Sequence, residues 1–441
     1  MRSRRTWVYL VASLILLAAA VALAAWLRLW VLTAIPIGFL LGFLLQKGEL
    51  CSASAFSEVL LMRDGRKLFG FWVAVVVSMV GFAVLNLLGL VPLEAKPIPW
   101  LDALVGGLIF GVGMVLAGGC VSGCLFKAGT GNINSMAALI GVTIGVAVLQ
   151  YGPLQRVHAA LFADARRQET AATLPSVTGL PYWVLALVFA LATLVLALWL
   201  RSRRRPAAGG TVGRSTGLLS RSWKPWQAGI AIGLLATLAY VSSLASGRKY
   251  PLCVYGGVSQ LQALATDQGF FHVWKRRPPK PASVVGRRRP GCGCARSKLS
   301  SALSDPPARM AKCGAAALFP LEERPQSRAS APPGMARSPG KKVVWWMVIL
   351  VVFVVLGSWV SAMLSGQARL LPKPPEQTIW AFLGGILVGI GAALASGCSI
   401  GNILSGGALM SASALVFGAA ALLGNWGATY FYLMGGRGSR G

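Results

Sequence analysis

The stretch LVGGLIFGVGMVLAGGCVSG at residues 104–123 decides the fold of this chain, because it recurs as FLGGILVGIGAALASGCSIG at residues 382–401. Seven small residues and one cysteine stand at equivalent positions in the two copies. They are Gly106, Gly107, Gly111, Gly113, Ala117, Gly119, Cys120 and Gly123 in the first copy, and Gly384, Gly385, Gly389, Gly391, Ala395, Gly397, Cys398 and Gly401 in the second. A self-match of this kind predicts an internal duplication. We expect two pseudo-symmetric repeats, at 32–200 and 226–435.

A weaker match joins the beginnings of the two repeats. The segment GFLLGFLL at 38–45 resembles GIAIGLLA at 229–236. Membrane transporters built from inverted repeats hold their substrate between the halves, on interrupted helices. We therefore predict inverted repeats with short re-entrant helices around a central solute path.

Composition places these repeats in a membrane. Of the 441 residues 55% are hydrophobic and only 12% are charged, which is about half the charge of a soluble domain. The runs 7–27 and 69–93 carry no charge at all, and each is long enough to cross a hydrocarbon core of ~30 Å as a helix. The runs are continuous and do not alternate, which favours an all-α polytopic bundle over a β-barrel.

Ten apolar segments predict helices, and we expect eight to ten crossings in all. The segments lie near 7–30, 34–46, 69–92, 102–117, 136–151, 181–200, 226–245, 343–365, 379–395 and 410–433. The segments 34–46, 102–117 and 379–395 are short for a crossing, and each ends in a break that contains glycine and cysteine. Short, glycine-interrupted segments at corresponding places in two halves are the best sequence sign of a transport site.

The remaining boundaries follow from composition. We assign an N-terminal transmembrane helix to 1–31, a basic loop to 201–225, the start of the second repeat to 226–271, a linker to 272–342 and the rest of the second repeat to 343–435. The linker holds 16 Lys and Arg and 11 Pro, a composition typical of disorder. It is a tether, a lipid- or RNA-contacting tail or, over 285–340, the product of a compensated frameshift, which resequencing of the coding DNA would reveal.

The net charge of +30, from 42 Lys and Arg against 12 Asp and Glu, would suggest nucleic acid as a partner of a soluble protein. In a membrane protein, basic loops hold the cytoplasmic face against anionic lipid. Arg63, Arg66 and Lys67 before one helix, and the basic run 201–205 after another, favour that side. We expect a multi-pass protein of the bacterial inner membrane that contacts membrane lipid and no nucleic acid.

The glycine-cysteine breaks carry the candidate chemistry. GxxxG spacing, as in Gly107 and Gly111, lets helices approach closely and accounts for most of the glycines. It does not account for Cys120 and Cys398, which follow glycine at equivalent positions. A single membrane cysteine is usually a small buried hydrophobe. Two at equivalent positions point to an anion resting at a helix N-terminus beside a thiol.

Other cysteines and polar residues are less distinctive. Eight cysteines and only two histidines give no zinc-binding spacing. Cys124 has Asn402 at its equivalent position, and Cys253 is interpreted as incidental. Asn132 and Asn134, like Asn402, are either polar lining of a path or turn residues.

Three segments resemble the YeeE/YedE family of membrane proteins. They are LAGGCVSG at 116–123, LASGCSIGN at 394–402 and GELCSASAF at 48–56. The resemblance covers 32–270 and 343–435, and it is specific because the family combines three such cysteine segments with this repeat. It implies an inverted-repeat helical fold with short helices pointing inward, and uptake of thiosulfate.

The same resemblance implies a narrow path lined by three cysteines. With their neighbours, the expected substrate-binding residues are Cys51, Cys120, Cys398, Gly119, Gly397, Gly123, Gly401 and Asn402. A neutral thiol can donate a weak S–H hydrogen bond to the terminal sulfur of thiosulfate, and weak sites in series let an ion enter and leave. We expect a transporter and not an enzyme, with no catalytic residue, cofactor or metal.

Other functions stay open from the sequence. A membrane sulfur relay or redox protein would need reactive cysteines with low pKa values, and a transporter of a selenium compound would use the same path. A small cytoplasmic sulfur-carrier protein is a further expected partner. Docking of another protein through the basic linker would make the chain a structural subunit.

Overall fold

Apolar helices packed side by side make up the computed structural model. It describes residues 30–96, 98–150, 152, 154, 156, 172–203, 223–266, 271–273, 342–368 and 374–435. All of these belong to one unit of the chain, Met1–Arg276 with Lys341–Gly441. The helix expected at 1–31, the basic loop 201–225 and the linker 272–342 fall mostly outside the described residues, so these predictions stay predictions.

The helices follow in this order: α1 Ala34–Gly48, α2 Ser52–Met62, α3 Arg66–Leu87, α4 Trp100–Leu116, α5 Val121–Gly129, α6 Ile133–Gln150, α7 Leu174–Thr178, α8 Tyr182–Arg203, α9 Pro225–Ala245, α10 Val254–Thr266, α11 Trp345–Ser365, α12 Pro375–Leu394 and α13 Ala412–Ala428. A 3₁₀ turn precedes α1 at Trp30–Thr33, and π-helical segments occupy Ile400–Gly406 and Thr429–Met434. Two three-residue strands, β1 Phe271–Val273 and β2 Lys342–Val344, pair in parallel. The all-α prediction is confirmed.

Within the described residues, nine helical stretches are long and apolar enough to cross a membrane. They are Trp30–Met62, Arg66–Leu87, Trp100–Gly129, Ile133–Gln150, Tyr182–Leu200, Pro225–Ala245, Trp345–Ser365, Pro375–Leu394 and Ala412–Tyr432. The chain is a multi-pass membrane protein, as predicted. Helix ends sit within a few residues of the sequence-based limits because prolines mark them: Pro99 precedes α4, and Pro225 and Pro375 open α9 and α12.

Four short helical segments that follow breaks in longer helices lie outside the ranges predicted from apolar runs. These segments are α2, α5, α10 and the π-helical segment Ile400–Gly406. The reason is their composition, since α5 (VSGCLFKAG) and α10 (VYGGVSQLQALAT) mix glycine with polar residues. Each is also shorter than an isolated helix needs to be stable in water, so tertiary packing forms it.

The two halves interlock through reciprocal helix pairs. Helix α4 packs on α13 while α12 packs on α6, and α1 packs on α11 while α9 packs on α3. The glycines explain the close approach: Gly111 lies on the backbone of Ala421, and Gly389 lies on that of Val142. These two sets of helix pairs therefore correspond to each other across the halves.

Helices α4 and α12, which contain the two copies of the repeated motif, run antiparallel. Gly106, early in α4, lies on Gly391, late in α12, and a Cβ on Gly106 would come within 2.9 Å of the Gly391 carbonyl oxygen. Gly113, late in α4, lies on Gly384, where the corresponding distance is 3.0 Å. The two helices that carry the motif thus point in opposite directions, and the inverted-repeat relation of the whole halves stays a prediction.

Helix α8 stands apart from this arrangement. It packs on α3, and only 11% of its apolar stretch is buried. Among the described residues it brings the candidate spans from α1 up to the start of α9 to five.

Candidate functional site

Four cysteines stand at breaks that are followed by short helices. Cys51 directly precedes α2, Cys120 precedes α5 and Cys253 precedes α10. Cys398 lies one residue before the helical turn that continues into Ile400–Gly406. All four are buried, with at most 5% of the residue surface exposed, and all four are free thiols. A helix N-terminus carries unpaired N–H groups and partial positive charge, so each thiol sits where an anion is favoured.

In the first half, two of these thiols meet. The sulfur atoms of Cys51 and Cys120 are 3.9 Å apart. The Gly123 N–H donates to the Cys120 sulfur at 3.3 Å, and the Ser122 hydroxyl lies 3.2 Å from it. Cys120 is therefore the N-cap of α5, with its sulfur in the position that an oxygen usually takes.

Gly123 is small because the Cys51 sulfur occupies the space where its side chain would be. A Cβ on Gly123 would overlap the Cys51 sulfur and lie 3.4 Å from that of Cys120. Gly119 has a related role, since a Cβ there would come within 3.2 Å of the Cys124 sulfur. Both glycines of the expected binding set in this half therefore let sulfur atoms approach the backbone.

The second half repeats this arrangement with a different pair of thiols. A Cβ on Gly401 would lie 3.0 Å from the Cys253 sulfur, as one on Gly123 would meet Cys51. On the same side, Tyr250 donates its hydroxyl to the Gly401 carbonyl at 2.8 Å. The structure thus brings Cys51 and Cys120 together and places Cys253, which the predicted set lacks, against the motif that contains Cys398. Contact of these residues with a substrate stays a prediction.

Cys253 is the residue that sequence reasoning missed. The match between the repeat starts would have led to it only after an insertion was allowed, because α9 has 21 residues where α1 has 15. The break between α9 and α10 is also longer than the one between α1 and α2. It runs from Ser246 to Cys253, whereas the first runs from Glu49 to Cys51. Position relative to the following helix, and not sequence spacing, makes Cys253 the counterpart of Cys51.

Ser399 supplies an unused polar group at this centre. Its residue surface is fully buried, and its hydroxyl has no hydrogen-bond partner of normal geometry among the described residues. The hydroxyl faces the Cys120 thiol, which lies in the other half. A buried hydroxyl without a partner costs free energy, and a bound anion would relieve that cost.

Asn402 has a different position from the one expected of a substrate ligand. Its side-chain amide donates to the carbonyls of Ala395 and Gly397, at 3.0 and 3.4 Å. At the equivalent position of the first half, the Cys124 thiol donates to the Gly119 carbonyl at 3.6 Å. Both side chains thus stabilise the backbone at the break. The structure therefore favours a positioning role for Asn402, and its direct contact with substrate stays a prediction.

The turn that makes each break is left-handed, and a lysine caps it. Gly118 has φ +66° and Ser396 has φ +50°, a region that L-residues avoid. Lys127 donates to the Gly118 carbonyl, and Lys96 donates to the Ser396 carbonyl at 2.7 Å. Burial lowers the pKa of Lys96. Each cation thus satisfies a carbonyl that the helix end leaves unpaired.

A polar cavity of about 220 Å³ opens beside the first break. Its lining includes Gly118, Lys127, Asn132, Asn134 and Gln377. Asn132 precedes α6, and its side-chain oxygen accepts from the N–H of Asn134 in the first turn of that helix at 3.1 Å. Both asparagines therefore line this cavity, and lining of a solute path by them stays a prediction.

The family follows from comparison with known proteins. The family model described as sulphur transport matches residues 47–286 and 330–427. The chain belongs to the sulphur transport family. The match spans all four cysteine breaks and omits residues 287–329, most of the linker in which the frameshift was suspected.

Curated relatives agree with this family. The thiosulfate transporter TsuA of Spirochaeta thermophila is 28% identical over 411 residues, which cover 89% of this chain and 96% of the relative. The TsuA of Escherichia coli K12 is 26% identical over 409 residues, covering 91% and 94%. The probable transporter YedE of Escherichia coli K12 is 32% identical over 117 residues, covering 26% and 28%. The YeeE/YedE resemblance seen in the sequence is confirmed.

Proposed function

We propose that the chain takes up thiosulfate, or a closely related small sulfur-containing anion, along a path lined by cysteines. The observation that carries this proposal is the centre itself. Two thiols lie 3.9 Å apart at the N-termini of short helices, and the buried Ser399 hydroxyl, which makes no hydrogen bond of normal geometry, faces one of them, Cys120. The relatives that match nearly the whole chain are named thiosulfate transporters.

The chemistry of the centre suits a soft dianion in passage. A neutral S–H donates weakly to the terminal sulfur of thiosulfate, while hydroxyl and backbone N–H groups serve its oxygens. The two lysines nearest the breaks, Lys127 and Lys96, bond to backbone carbonyls and cap the breaks. The substrate therefore meets partial charges at the thiols, and weak binding lets it leave as well as enter.

The proposed route runs between inverted repeats. The antiparallel course of α4 and α12 and the odd number of candidate spans before α9 both support an inverted relation. The breaks of the two halves would then approach the centre from opposite faces. The basic segments around Arg63 and after α8 favour the cytoplasmic side of a bacterial inner membrane.

Uptake of labelled thiosulfate by cells that lack their own thiosulfate transporter tests the proposal. Cells that make the chain should accumulate the label and grow on thiosulfate as their sulfur source, and excess sulfate should not compete. Absence of uptake, with the protein present in the membrane, would exclude thiosulfate. Accumulation of a selenium compound in its place would support the selenium alternative.

Thiol labelling separates transport from a sulfur relay. A relay needs thiolates, so alkylation of the buried cysteines at neutral pH should be fast and should stop activity. Transport through neutral thiols predicts slow labelling with uptake intact during the reaction.

A further inference from the structure

We propose that Asn425 and Gln150 are positioning residues, each of which fixes in place the short helix that follows a cysteine break in the opposite half. Asn425 of α13 contacts α2, which begins after Cys51, and Gln150 of α6 contacts α10, which begins after Cys253. The role in transport rests on the proposed function. The effect on the position of each helix can be measured without it.

A serine stands six residues after the break cysteine in both short helices, Ser57 in α2 and Ser259 in α10. Six residues of helix place each serine about 9 Å along the axis from the thiol. The Ser57 hydroxyl donates to the Asn425 carboxamide oxygen at 3.0 Å. The Ser259 hydroxyl donates to the Gln150 carboxamide oxygen at 2.9 Å. In both halves, a hydroxyl of the short helix is therefore bonded to a carboxamide of the other half.

A second hydrogen bond completes each of these two contacts. The Gln150 amide N–H donates to the Tyr255 hydroxyl, in the first turn of α10, at 2.6 Å. The residue at the same position of α2 is Ala53, which has no hydroxyl. There the Trp426 indole N–H donates to the Phe56 carbonyl at 3.0 Å. Each short helix is thus joined to the opposite half by at least two hydrogen bonds.

The two carboxamides lie one helical turn apart when the halves are compared in space. A Cβ on Gly111 would come within 2.7 Å of the Asn425 backbone nitrogen, and one on Gly389 within 3.0 Å of the Val146 backbone nitrogen. Val146 is therefore the counterpart of Asn425, and Gln150 follows it by four residues, about one turn. A longer side chain one turn further along α6 makes the contact with α10 that Asn425 makes with α2.

These bonds matter because α2 and α10 are short. They have 11 and 13 residues, a length at which an isolated helix is marginal, so contacts with neighbouring helices determine where they lie. Asn425 is fully buried, and water does not compete for such bonds within the hydrocarbon region. Because α2 begins directly after Cys51, a shift of α2 would displace the Cys51 sulfur from that of Cys120, 3.9 Å away.

The rate of disulfide formation between Cys51 and Cys120 tests this inference independently of uptake. Copper phenanthroline is added to the purified full-length protein, where copper(II) accepts one electron from each thiol as its proton leaves, and the linked peptides are quantified by mass spectrometry. Ser57→Ala and Asn425→Leu should each slow the reaction about threefold to tenfold, the effect of losing a hydrogen bond between membrane helices. Ser57→Thr keeps the hydroxyl and should react at the wild-type rate.

Gln150→Leu is the matched control, because it removes the reciprocal contact and leaves that of α2 intact. It should not change the rate of the Cys51–Cys120 disulfide. Equal slowing in Gln150→Leu would indicate a general loosening of the fold and would overturn the inference. Unchanged or faster disulfide formation in both Ser57→Ala and Asn425→Leu would overturn it as well.

Uptake of labelled thiosulfate, divided by the amount of protein in the membrane, tests the role in transport. Ser57→Ala and Gln150→Leu should each lower the maximal rate per molecule about threefold, and Ser57→Thr should restore it. A purely structural role would lower the membrane content and leave the rate per molecule unchanged, which would overturn this part of the inference. Absence of uptake by the wild-type chain would overturn the proposed function, and the disulfide rates would still decide whether Asn425 positions Cys51.

Discussion

The two glycine-cysteine breaks share one backbone shape and reach it with different side chains. Gly118 and Ser396 both adopt the left-handed conformation, and each carbonyl is capped by a lysine. Lys127 comes from the next helix of the same half, whereas Lys96 comes from the segment before α4, in the opposite half. The chain continues as a regular α-helix after Cys120 and through the π-helical segment after Cys398.

The side-chain hydrogen bonds that stabilise the two breaks also differ. Cys124 donates a single weak S–H bond to Gly119, while Asn402 spans two carbonyls, those of Ala395 and Gly397. An amide is the stronger donor of the two. The lesson is that the turn, the glycine and the cysteine are common to the halves, whereas the support behind them is not.

The largest effect is expected from removing the common element. Cys120→Ala and Cys398→Ala should each lower thiosulfate uptake between about tenfold and a hundredfold, because each loses a hydrogen bond to a charged substrate. Uptake of labelled thiosulfate and growth on thiosulfate measure this loss, with membrane content as the control. Full growth of both variants would remove the idea of a cysteine-lined path.

A second pair of variants compares how tightly the cysteine sulfur packs against the glycine in each half. Gly123→Ala places a Cβ onto the Cys51 sulfur, whereas Gly401→Ala leaves 3.0 Å to that of Cys253. Overpacking of this kind costs about 1–3 kcal/mol, and we expect Gly123→Ala to lose more uptake than Gly401→Ala. The ratio of the two uptake rates is the measurement, and the reverse order would contradict the packing described here.

The free energy of unfolding should reflect the different hydrogen bonds that Asn402 and Cys124 make at the two breaks. Asn402→Ala leaves two buried carbonyls without a donor and should lower the free energy of unfolding by about 1–3 kcal/mol. Cys124→Ala removes one weak donor and should cost less. Thermal unfolding of the two purified variants in detergent compares them directly, and equal losses would mean that Asn402 does not support its break more strongly than Cys124 does.

The smallest effects are expected at the turns themselves. Gly118→Ala meets open space but pays about 1–2 kcal/mol for the left-handed conformation. Ser396→Gly relieves that strain while it loosens the unfolded chain, so its unfolding midpoint should stay close to that of the wild type. A marked drop for Ser396→Gly would show that the Ser396 side chain itself supports the turn.

Much of the fold could be predicted because it depends on local signals. Long apolar runs gave the spans, and prolines such as Pro99 and Pro375 marked where α4 and α12 begin. The repeated motif located Cys120 and Cys398, and the comparisons confirm the family. Short re-entrant helices were predicted, but the bounds of the helices after the breaks were not, because their own sequences favour no helix strongly and packing between the halves forms them.

The sequence by itself determined that this is a multi-pass helical membrane protein in which a motif with a cysteine after glycine occurs twice. Hydropathy, glycine spacing and the self-match decide this, and all of them are read along the chain. Only the tertiary structure decided which thiols meet. Cys51 lies against Cys120, and Cys253 lies against Gly401 of the second motif, because helix ends far apart in sequence converge. That convergence depends on the reciprocal packing of the two halves, which no single segment encodes.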